Sequence, residues 1–329
     1  MSEHVGLQKL ERAAELVHAV MPPTPQYCWP LLAERAGCEL WVKHENHTPA
    51  GAFKVRGGIV YADHLARNHP DARGVIAATR GNHGQAVAIA ARRAGVSATV
   101  VVPEGNSIEK NAAMRAWGAE LIVHGHDFQA SLEHAKALAV ERSLHMYQSF
   151  HPVLVQGVGT YGLELFRAVP DLEAVFVPLG LGSGICGVMA ARDAVGSKAE
   201  VWGVVAENAP AYALSFEAGK AISTNSADTM ADGVACRVPV DGALRAILAG
   251  AAGIIQVSEA EIKAAMRHFY TDTHNVAEGA GAAPLAAVLQ QRTHWAGRKV
   301  GVILTGGNVD MPVYQAALTE AAMHEKDAA

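Results

Sequence analysis

A glycine-rich segment that follows a short apolar run is one place in this sequence where ligand-binding chemistry can be expected. The apolar run covers residues 174–177, and soon after it come Gly180, Leu181, Gly182, Ser183 and Gly184. A glycine-rich turn that opens a helix presents unpaired backbone N–H groups and the positive end of the helix dipole to an anion. The segment therefore predicts an anion site, most simply for a phosphate, although a tight turn without a ligand has a similar pattern.

The same segment also fits a second kind of site. Residues 182–187 read G-S-G-I-C-G, the G-x-G-x-x-G spacing of dinucleotide-binding proteins, and Glu207 follows where an acidic residue that binds ribose is expected. On these residues alone, an NAD(P)-dependent oxidoreductase is an alternative. That interpretation accounts for one loop only and leaves the following segments unexplained.

Two further apolar runs are each followed by a polar turn. The first turn consists of Thr79, Arg80, Gly81, Asn82 and His83. Short polar side chains beside unpaired helix N–H groups suit a carboxylate, although Thr79 or Asn82 could simply cap a helix. The second turn begins with Thr305 and continues with two glycines, which permit a ligand to approach the backbone closely. A plain turn remains the alternative there.

A lysine lies in an unusual environment near the beginning of the chain. Lys54 is flanked by small and apolar residues in the stretch P-A-G-A-F-K-V-R-G-G of residues 49–58. Most lysines are solvated surface charges, but a lysine that is removed from water can lose its proton and act as an amine nucleophile. Lys54 is therefore a candidate catalytic residue.

These loops need a scaffold that brings them together, and the sequence indicates which one. Short Val- and Ile-rich runs alternate with helical segments, which is typical of parallel strands covered on both faces. The predicted strands are residues 39–43, 74–78, 99–102, 121–123, 174–177, 201–205, 254–257 and 300–304. The fold class is therefore α/β and doubly wound, and about eight strands in one chain favour two sheets. Ligands of such folds bind beyond the carboxyl ends of the strands, where the three loops lie.

Composition excludes several other classes of function. The chain has 329 residues, of which 50% are hydrophobic and 18% are charged, so it is long enough to bury a large core. A net charge of −5 provides no basic surface for nucleic acid, and no apolar run is long enough to span a bilayer. Neither the four cysteines nor the 16 histidines show the spacing of a disulfide framework or a zinc site. We therefore predict a cytoplasmic protein without a metal, nucleic-acid or membrane partner.

Taken in order, these segments resemble the fold-type-II pyridoxal-phosphate enzymes, and within them the serine/threonine dehydratase (threonine ammonia-lyase) group that includes serine racemase. The four motifs are residues 49–58, 79–83, 180–184 and 305–308, with further matches at 156–160, 231–233 and 278–281. The resemblance covers nearly the whole chain. It implies two doubly wound, mostly parallel-sheet domains with the cofactor in the cleft between them. The larger, cofactor-phosphate-binding domain is expected over residues 1–72 and 150–329, and the smaller, substrate-carboxylate-binding domain over 73–149.

The resemblance also implies a role for each motif residue. Pyridoxal 5'-phosphate would be carried by Lys54 as a Schiff base, with Phe53 against its ring, Asn82 on the 3-hydroxyl and Thr305 at the pyridine nitrogen. The phosphate would be held by Gly180, Leu181, Gly182, Ser183 and Gly184. The substrate carboxylate would be bound by Thr79, Arg80, Gly81, Asn82 and His83.

The activity implied is that of an ammonia-lyase, which dehydrates and deaminates a threonine- or serine-like β-hydroxy-α-amino acid to a 2-oxo acid and ammonia. Arg80 stands where the racemase has a serine base, and arginine is a poor base, so elimination is favoured over racemisation. Arg80 also leaves open a bulkier or more acidic substrate, such as phenylserine or hydroxyaspartate. The intact Lys54, Asn82 and Thr305 argue against a non-catalytic relative.

Three further expectations follow from the resemblance. A homodimer is expected. The racemase-like cation site has one of its two acids in Glu207 but Ala213 at the second, so we expect no cation there. Few residues follow the 305–308 motif, so we do not expect the C-terminal regulatory domain of biosynthetic threonine dehydratases.

Overall fold

Two separate β-sheets with helices on both faces form the scaffold. The computed structural model describes residues 5–324, with side chains up to residue 319. The strands are β1 (Gln26–Cys28), β2 (Glu39–His44), β3 (Gly74–Ala78), β4 (Ser97–Val102), β5 (Glu120–Val123), β6 (His145–Met146), β7 (Ala174–Pro178), β8 (Glu200–Ala206), β9 (Gly253–Val257) and β10 (Lys299–Leu304). The helices are α1 (Leu7–His18), α2 (Pro30–Ala36), α3 (Lys54–Asn68), α4 (Asn82–Ala94), α5 (Ile108–Ala116), α6 (Phe128–Glu141), α7 (Pro152–Ala168), α8 (Ser183–Val195), α9 (Ala211–Ala218), α10 (Asp241–Gly250), α11 (Glu259–Thr273), α12 (Gly279–Gln290), α13 (Arg292–Trp295) and α14 (Met311–His324).

The six-stranded sheet has the order β1-β2-β10-β7-β8-β9, in which only β1 is antiparallel to its neighbour. Strand β10, from the far end of the chain, lies between β2 and β7. Because β2, β10 and β7 are parallel, their carboxyl ends meet at one edge of the sheet. The loops that follow them, which include Lys54, Thr305 and the glycine-rich segment, are therefore brought to the same place.

The four-stranded sheet has the order β5-β4-β3-β6, and all of its pairs are parallel. Every residue of β3 is buried, because α3 and α4 cover one face of this sheet and α6 covers the other. The turn of residues 79–83 leaves the carboxyl end of β3 and opens α4. In the larger sheet, α11 and α12 cover one face and α7 and α8 cover the other.

The α/β class and the two mostly parallel sheets are as predicted, and each predicted strand is present with bounds shifted by at most two residues. Strands β1 and β6 were not predicted, since three and two residues are too few for a recognisable apolar pattern. The domain division remains a prediction, and its first four and last five residues lie outside the described part of the chain. Helix α3, which that division assigns to the larger domain, packs against α4 beside the smaller sheet. Among the described helices, none combines the length and the apolar character that a bilayer crossing requires.

A buried group of charges fixes the beginning of α3. The Arg56 guanidinium is fully buried and forms ion pairs of 2.6 Å with both Glu45 and Glu164, and Lys43 Nζ lies 2.6 Å from the other oxygen of Glu164. Burial alone would raise the pKa of Glu164, but Arg56 and Lys43 lower it to about 2. These contacts connect α3 with the end of β2 and with α7, only two residues from Lys54.

We expect Arg56→Leu to lower the free energy of unfolding by about 3–5 kcal/mol, because it leaves the buried Glu45 without its cationic partner and Glu164 with one cation fewer. Chemical denaturation followed by circular dichroism measures the loss. Arg67→Leu is a matched control, because Arg67 is an exposed residue of the same helix that pairs with Asp63 at 2.8 Å. Its loss should stay below about 1 kcal/mol. Equal, small losses in both variants would contradict the expectation.

Candidate active site

Lys54 is the first residue of α3, and its side chain reaches the glycine-rich loop. Its Nζ donates a hydrogen bond of 2.8 Å to Ser183 Oγ and lies 4.7 Å from the centre of the Phe53 ring. Burial lowers the pKa of the Lys54 amine to about 8, although the negative charge of Glu278 acts in the opposite direction. The amine is therefore close to losing its proton at neutral pH, as a nucleophile or a general base requires.

The glycine-rich loop is shaped to approach an anion closely. Helix α8 begins after Gly182, which has a φ of 98° and offers no side-chain cap, so the first-turn N–H groups are free for a ligand. A Cβ atom at Gly182 would lie 2.6 Å from Ala243 Cβ. Gly184 faces Phe53, whose Cζ is 3.8 Å from the Cβ position of this glycine. Leu181 is half-buried, and its carbonyl oxygen accepts a hydrogen bond of 3.2 Å from the Tyr212 hydroxyl.

The segment around Thr305 is joined to the segment around Lys54 by backbone contacts. Phe53 N–H donates to the Thr305 carbonyl oxygen at 2.9 Å, and Ala52 and Gly306 form an isolated β-bridge. Thr305 is almost fully buried, and its hydroxyl forms no hydrogen bond within the part of the chain that the structure describes. A neutral hydroxyl thus remains available to a ligand at the carboxyl end of β10.

The turn of residues 79–83 closes the site from the smaller sheet. Thr79 Oγ accepts a hydrogen bond of 3.0 Å from Gly81 N–H, which stabilises the turn. The His83 side chain points inward and is buried, and burial together with the positive charge of Lys54 lowers its pKa to about 3. Arg80 is exposed and has no ion pair with any described residue.

A polar network behind this turn was not predicted. Asn82 Nδ2 donates to Glu278 Oε1 at 2.7 Å, and Asn82 Oδ1 accepts from Asn308 Nδ2 at 2.8 Å. Lys110 of α5 lies 2.6 Å from Asp232 Oδ2 and 3.5 Å from Glu278 Oε2, so it joins the two sheets electrostatically. Burial raises the pKa of Glu278 to about 7, which Lys110 only partly offsets.

The structure brings the predicted residues Lys54, Phe53, Thr305 and the glycine-rich loop into direct contact and places Asn82 in the adjoining network. Sequence analysis included Asp232, Glu278 and Asn308 in matching motifs without giving them a role. It missed Lys110 altogether, because nothing near this lysine distinguishes it from a surface residue of α5. Glu207 lines a different cavity, with Thr224 and Asp228.

Comparison with known proteins agrees with this geometry. The family described as "Pyridoxal-phosphate dependent enzyme" matches residues 19–306. L-threonine ammonia-lyase of Thermotoga maritima is 34% identical over 93% of this chain and 76% of its own length. L-threo-3-hydroxyaspartate ammonia-lyase of Saccharomyces cerevisiae is 31% identical over 92% and 93%. Maize serine racemase has a similar structure, with a TM-score of 0.88 and 26% identity over 98% of this chain and 99% of that one.

A two-sheet α/β scaffold with a buried lysine beside a glycine-rich helix N-terminus defines a class of cofactor-dependent enzyme. The chain belongs to the family of pyridoxal-phosphate dependent enzymes. These similarities give the nicotinamide alternative no support.

The residues present fit this cofactor. An uncapped helix N-terminus with glycines in its approach suits a phosphate, and no carboxylate of the described residues lies within ion-pair distance of the buried Lys54 amine. The Thr305 hydroxyl is free, and Asn82 has one further N–H to donate beyond its bond with Glu278. A helix N-terminus that can donate hydrogen bonds to a phosphate, an amine and two neutral polar groups are thus available to the cofactor.

We expect Glu278→Gln to gain stability relative to the native chain as the pH rises. The pKa of Glu278 is raised from 4.5 to about 7, so the folded protein binds more protons than the unfolded chain between these values. Its stability therefore falls as the pH rises through this interval, whereas glutamine does not titrate. Thermal unfolding of the cofactor-free proteins from pH 4.5 to 8 measures the difference. The exposed Glu133→Gln is the control, and a difference between Glu278→Gln and native protein that stays constant across this range would contradict the expectation.

Proposed function

We propose that this protein is a pyridoxal-phosphate-dependent ammonia-lyase that converts a threonine- or serine-like β-hydroxy-α-amino acid to a 2-oxo acid and ammonia. The observation that carries the proposal is the 2.8 Å contact between Lys54 Nζ and Ser183 Oγ, because it joins the amine to the phosphate-type loop. The similarity to L-threonine ammonia-lyase over most of both chains supports the choice of reaction.

The roles that the resemblance implies are proposed for these residues, and the contacts described above support them. Lys54 would hold the cofactor, and its free amine would remove the Cα proton. The amides of residues 180–184 would bind the phosphate, and Phe53 would pack beside the ring. The turn of residues 79–83 binds the substrate carboxylate at the N-terminus of α4. The bound cofactor supplies the electron sink that stabilises negative charge at Cα.

Two side chains favour elimination over racemisation. Thr305 offers a neutral hydroxyl. A carboxylate at this position would make the cofactor a stronger electron sink for Cα, and Thr305 does not have this effect. Arg80 is always protonated and cannot remove a proton from the second face of Cα. With Arg80 where the racemase has its second base, loss of the β-hydroxyl as water is the productive outcome of proton removal by Lys54.

We expect Lys54→Ala to lower the release of 2-oxo acid from threonine or serine by at least about 100-fold, the usual contribution of a positioned general base. Borohydride reduction followed by peptide mapping should place the cofactor on the peptide that contains Lys54 in the native protein. Lys299→Ala, which changes a lysine at the opposite end of the sheet, is the control. Labelling at any other lysine would refute the proposed role of Lys54.

A dicarboxylic substrate is a second candidate, and Arg80 is the observation that favours it. Its guanidinium has no ion pair among the described residues, and it lies in the turn proposed to bind the substrate. The similarity to the yeast relative named for L-threo-3-hydroxyaspartate also supports a dicarboxylic substrate. We therefore propose 3-hydroxyaspartate as an alternative substrate, with phenylserine as a further one to include in the same assay.

We expect Arg80→Gln to lower kcat/KM for 3-hydroxyaspartate by about 10–100-fold, because a charge-assisted hydrogen bond contributes about 1.5–3 kcal/mol. For threonine the value should change less than threefold. Arg67→Gln, which changes an exposed arginine of α3, controls for the loss of one positive charge. If both substrates lose activity equally, Arg80 does not select the substrate.

We also propose a homodimer, on the resemblance to the family alone, and a cytoplasmic location, on the composition and the spacing of the cysteines. Analytical ultracentrifugation of the purified chain tests the oligomeric state.

A further inference from the structure

A small cavity beside Lys54 is enclosed by α3, α4 and α7. Its polar lining comes from Lys54, His83, Tyr147, Ser149 and Ser183, and its apolar wall includes Leu154 and Val158. The volume is about 10 Å³, which is the space that one water-sized group needs.

Two polar atoms in this lining have no partner among residues 5–319, whose side chains the structure describes. The Tyr147 hydroxyl and His83 Nε2 are both buried, and neither forms a hydrogen bond with any of these residues. Their residues are 1% and 8% exposed, and the two rings contact each other at 5.5 Å between centres. A buried polar atom without a partner is unfavourable, so two such atoms at one small cavity indicate that a hydrogen-bonding group fills it.

Both groups are held in their uncharged forms. Burial, together with the charge of Lys54, keeps the His83 imidazole neutral, as described above. Burial also raises the pKa of Tyr147 well above its usual value, so its hydroxyl keeps its proton. A neutral imidazole and a phenol suit a neutral hydroxyl group, whereas a carboxylate would be too large for the space and would have only Lys54 as a cation.

We propose that Tyr147 and His83 form the subsite that binds the β-hydroxyl of the substrate, the group that leaves as water. This inference rests on the proposed ammonia-lyase function and adds to it the residues that recognise the leaving group. Tyr147 has no counterpart in the motifs that predict the rest of the site. It follows β6 and reaches the cavity only because its backbone N–H bonds to the Ile76 carbonyl oxygen at 2.8 Å.

The subsite also accounts for the path of the proton. During elimination the Cα–H and Cβ–O bonds break, a Cα–Cβ double bond forms, and the oxygen leaves with its electron pair. The proton that Lys54 Nζ takes from Cα is returned to this oxygen, so the substrate loses one water. Because Lys54 lines the same cavity, a hydroxyl held there by Tyr147 and His83 is positioned to receive that proton.

The test compares two leaving groups. Tyr147→Phe removes only the phenolic oxygen, so kcat/KM for L-serine should fall at least about 10-fold, the value of one buried hydrogen bond. Elimination of chloride from L-3-chloroalanine needs no hydroxyl recognition and should change less than threefold. Tyr61→Phe is the matched control, because the Tyr61 ring lies 4.1 Å from that of Tyr147 while its hydroxyl bonds to His145 outside the cavity. This control should leave both reactions unchanged.

A binding measurement provides a readout that does not depend on turnover. In a Lys54→Ala background loaded with cofactor, calorimetry should show that L-serine binds more tightly than L-alanine. Adding Tyr147→Phe should abolish this preference. An unchanged preference overturns the subsite.

The outcomes separate this inference from the proposed function. If the native protein releases no 2-oxo acid from any β-hydroxy amino acid, the proposed function fails. If it does so and Tyr147→Phe slows serine and chloroalanine equally or not at all, only the subsite fails. Should Tyr147→Phe not fold, His83→Asn, which withdraws Nε2, must show the same selective loss, and an unselective loss overturns the proposal.

Discussion

The buried ion pairs of Arg56 fix the position of the proposed catalytic lysine. Arg56 lies one half-turn beyond Lys54 on α3, and its guanidinium bonds Glu45 at the end of β2 and Glu164 on α7. Charges buried this deeply are stabilising only when their geometry is satisfied, so the beginning of α3 has little freedom to move. A lysine that must reach both a cofactor and Cα needs such a rigid support, because small displacements cost catalytic rate.

The topology of the larger sheet supplies the second constraint. The site combines parts of the chain near residues 54, 183 and 305, and they meet because β10 pairs with β2 on one side and with β7 on the other. The contact of Phe53 N–H with the Thr305 carbonyl oxygen then joins the first and last of these loops directly. The pairing of the backbone strands thus brings together the loops that carry the proposed cofactor-binding and proton-transfer groups.

Most of the scaffold and part of the proposed site could be predicted from sequence, because the residues concerned have local sequence signals. Strands such as β3 and the glycine turn before α8 have local signals, namely apolar runs and conformationally special residues. Lys110 and Tyr147 have no such signal, because their importance arises from burial against residues far away in the chain, such as Glu278 and His83. A motif could draw attention to Glu278, but its raised pKa depends on desolvation, which no local pattern encodes.

The electrostatics of the site point in one direction. Burial moves Lys54, His83 and Glu278 each towards its neutral form, and it keeps Tyr147 protonated. Proton transfer is most effective when the pKa of the base lies near the working pH, which burial achieves for Lys54. A carboxylate closer to Lys54 would restore its charge and end that advantage. Glu278, the acid whose charge acts on the Lys54 amine, is instead bonded by Asn82 and Lys110.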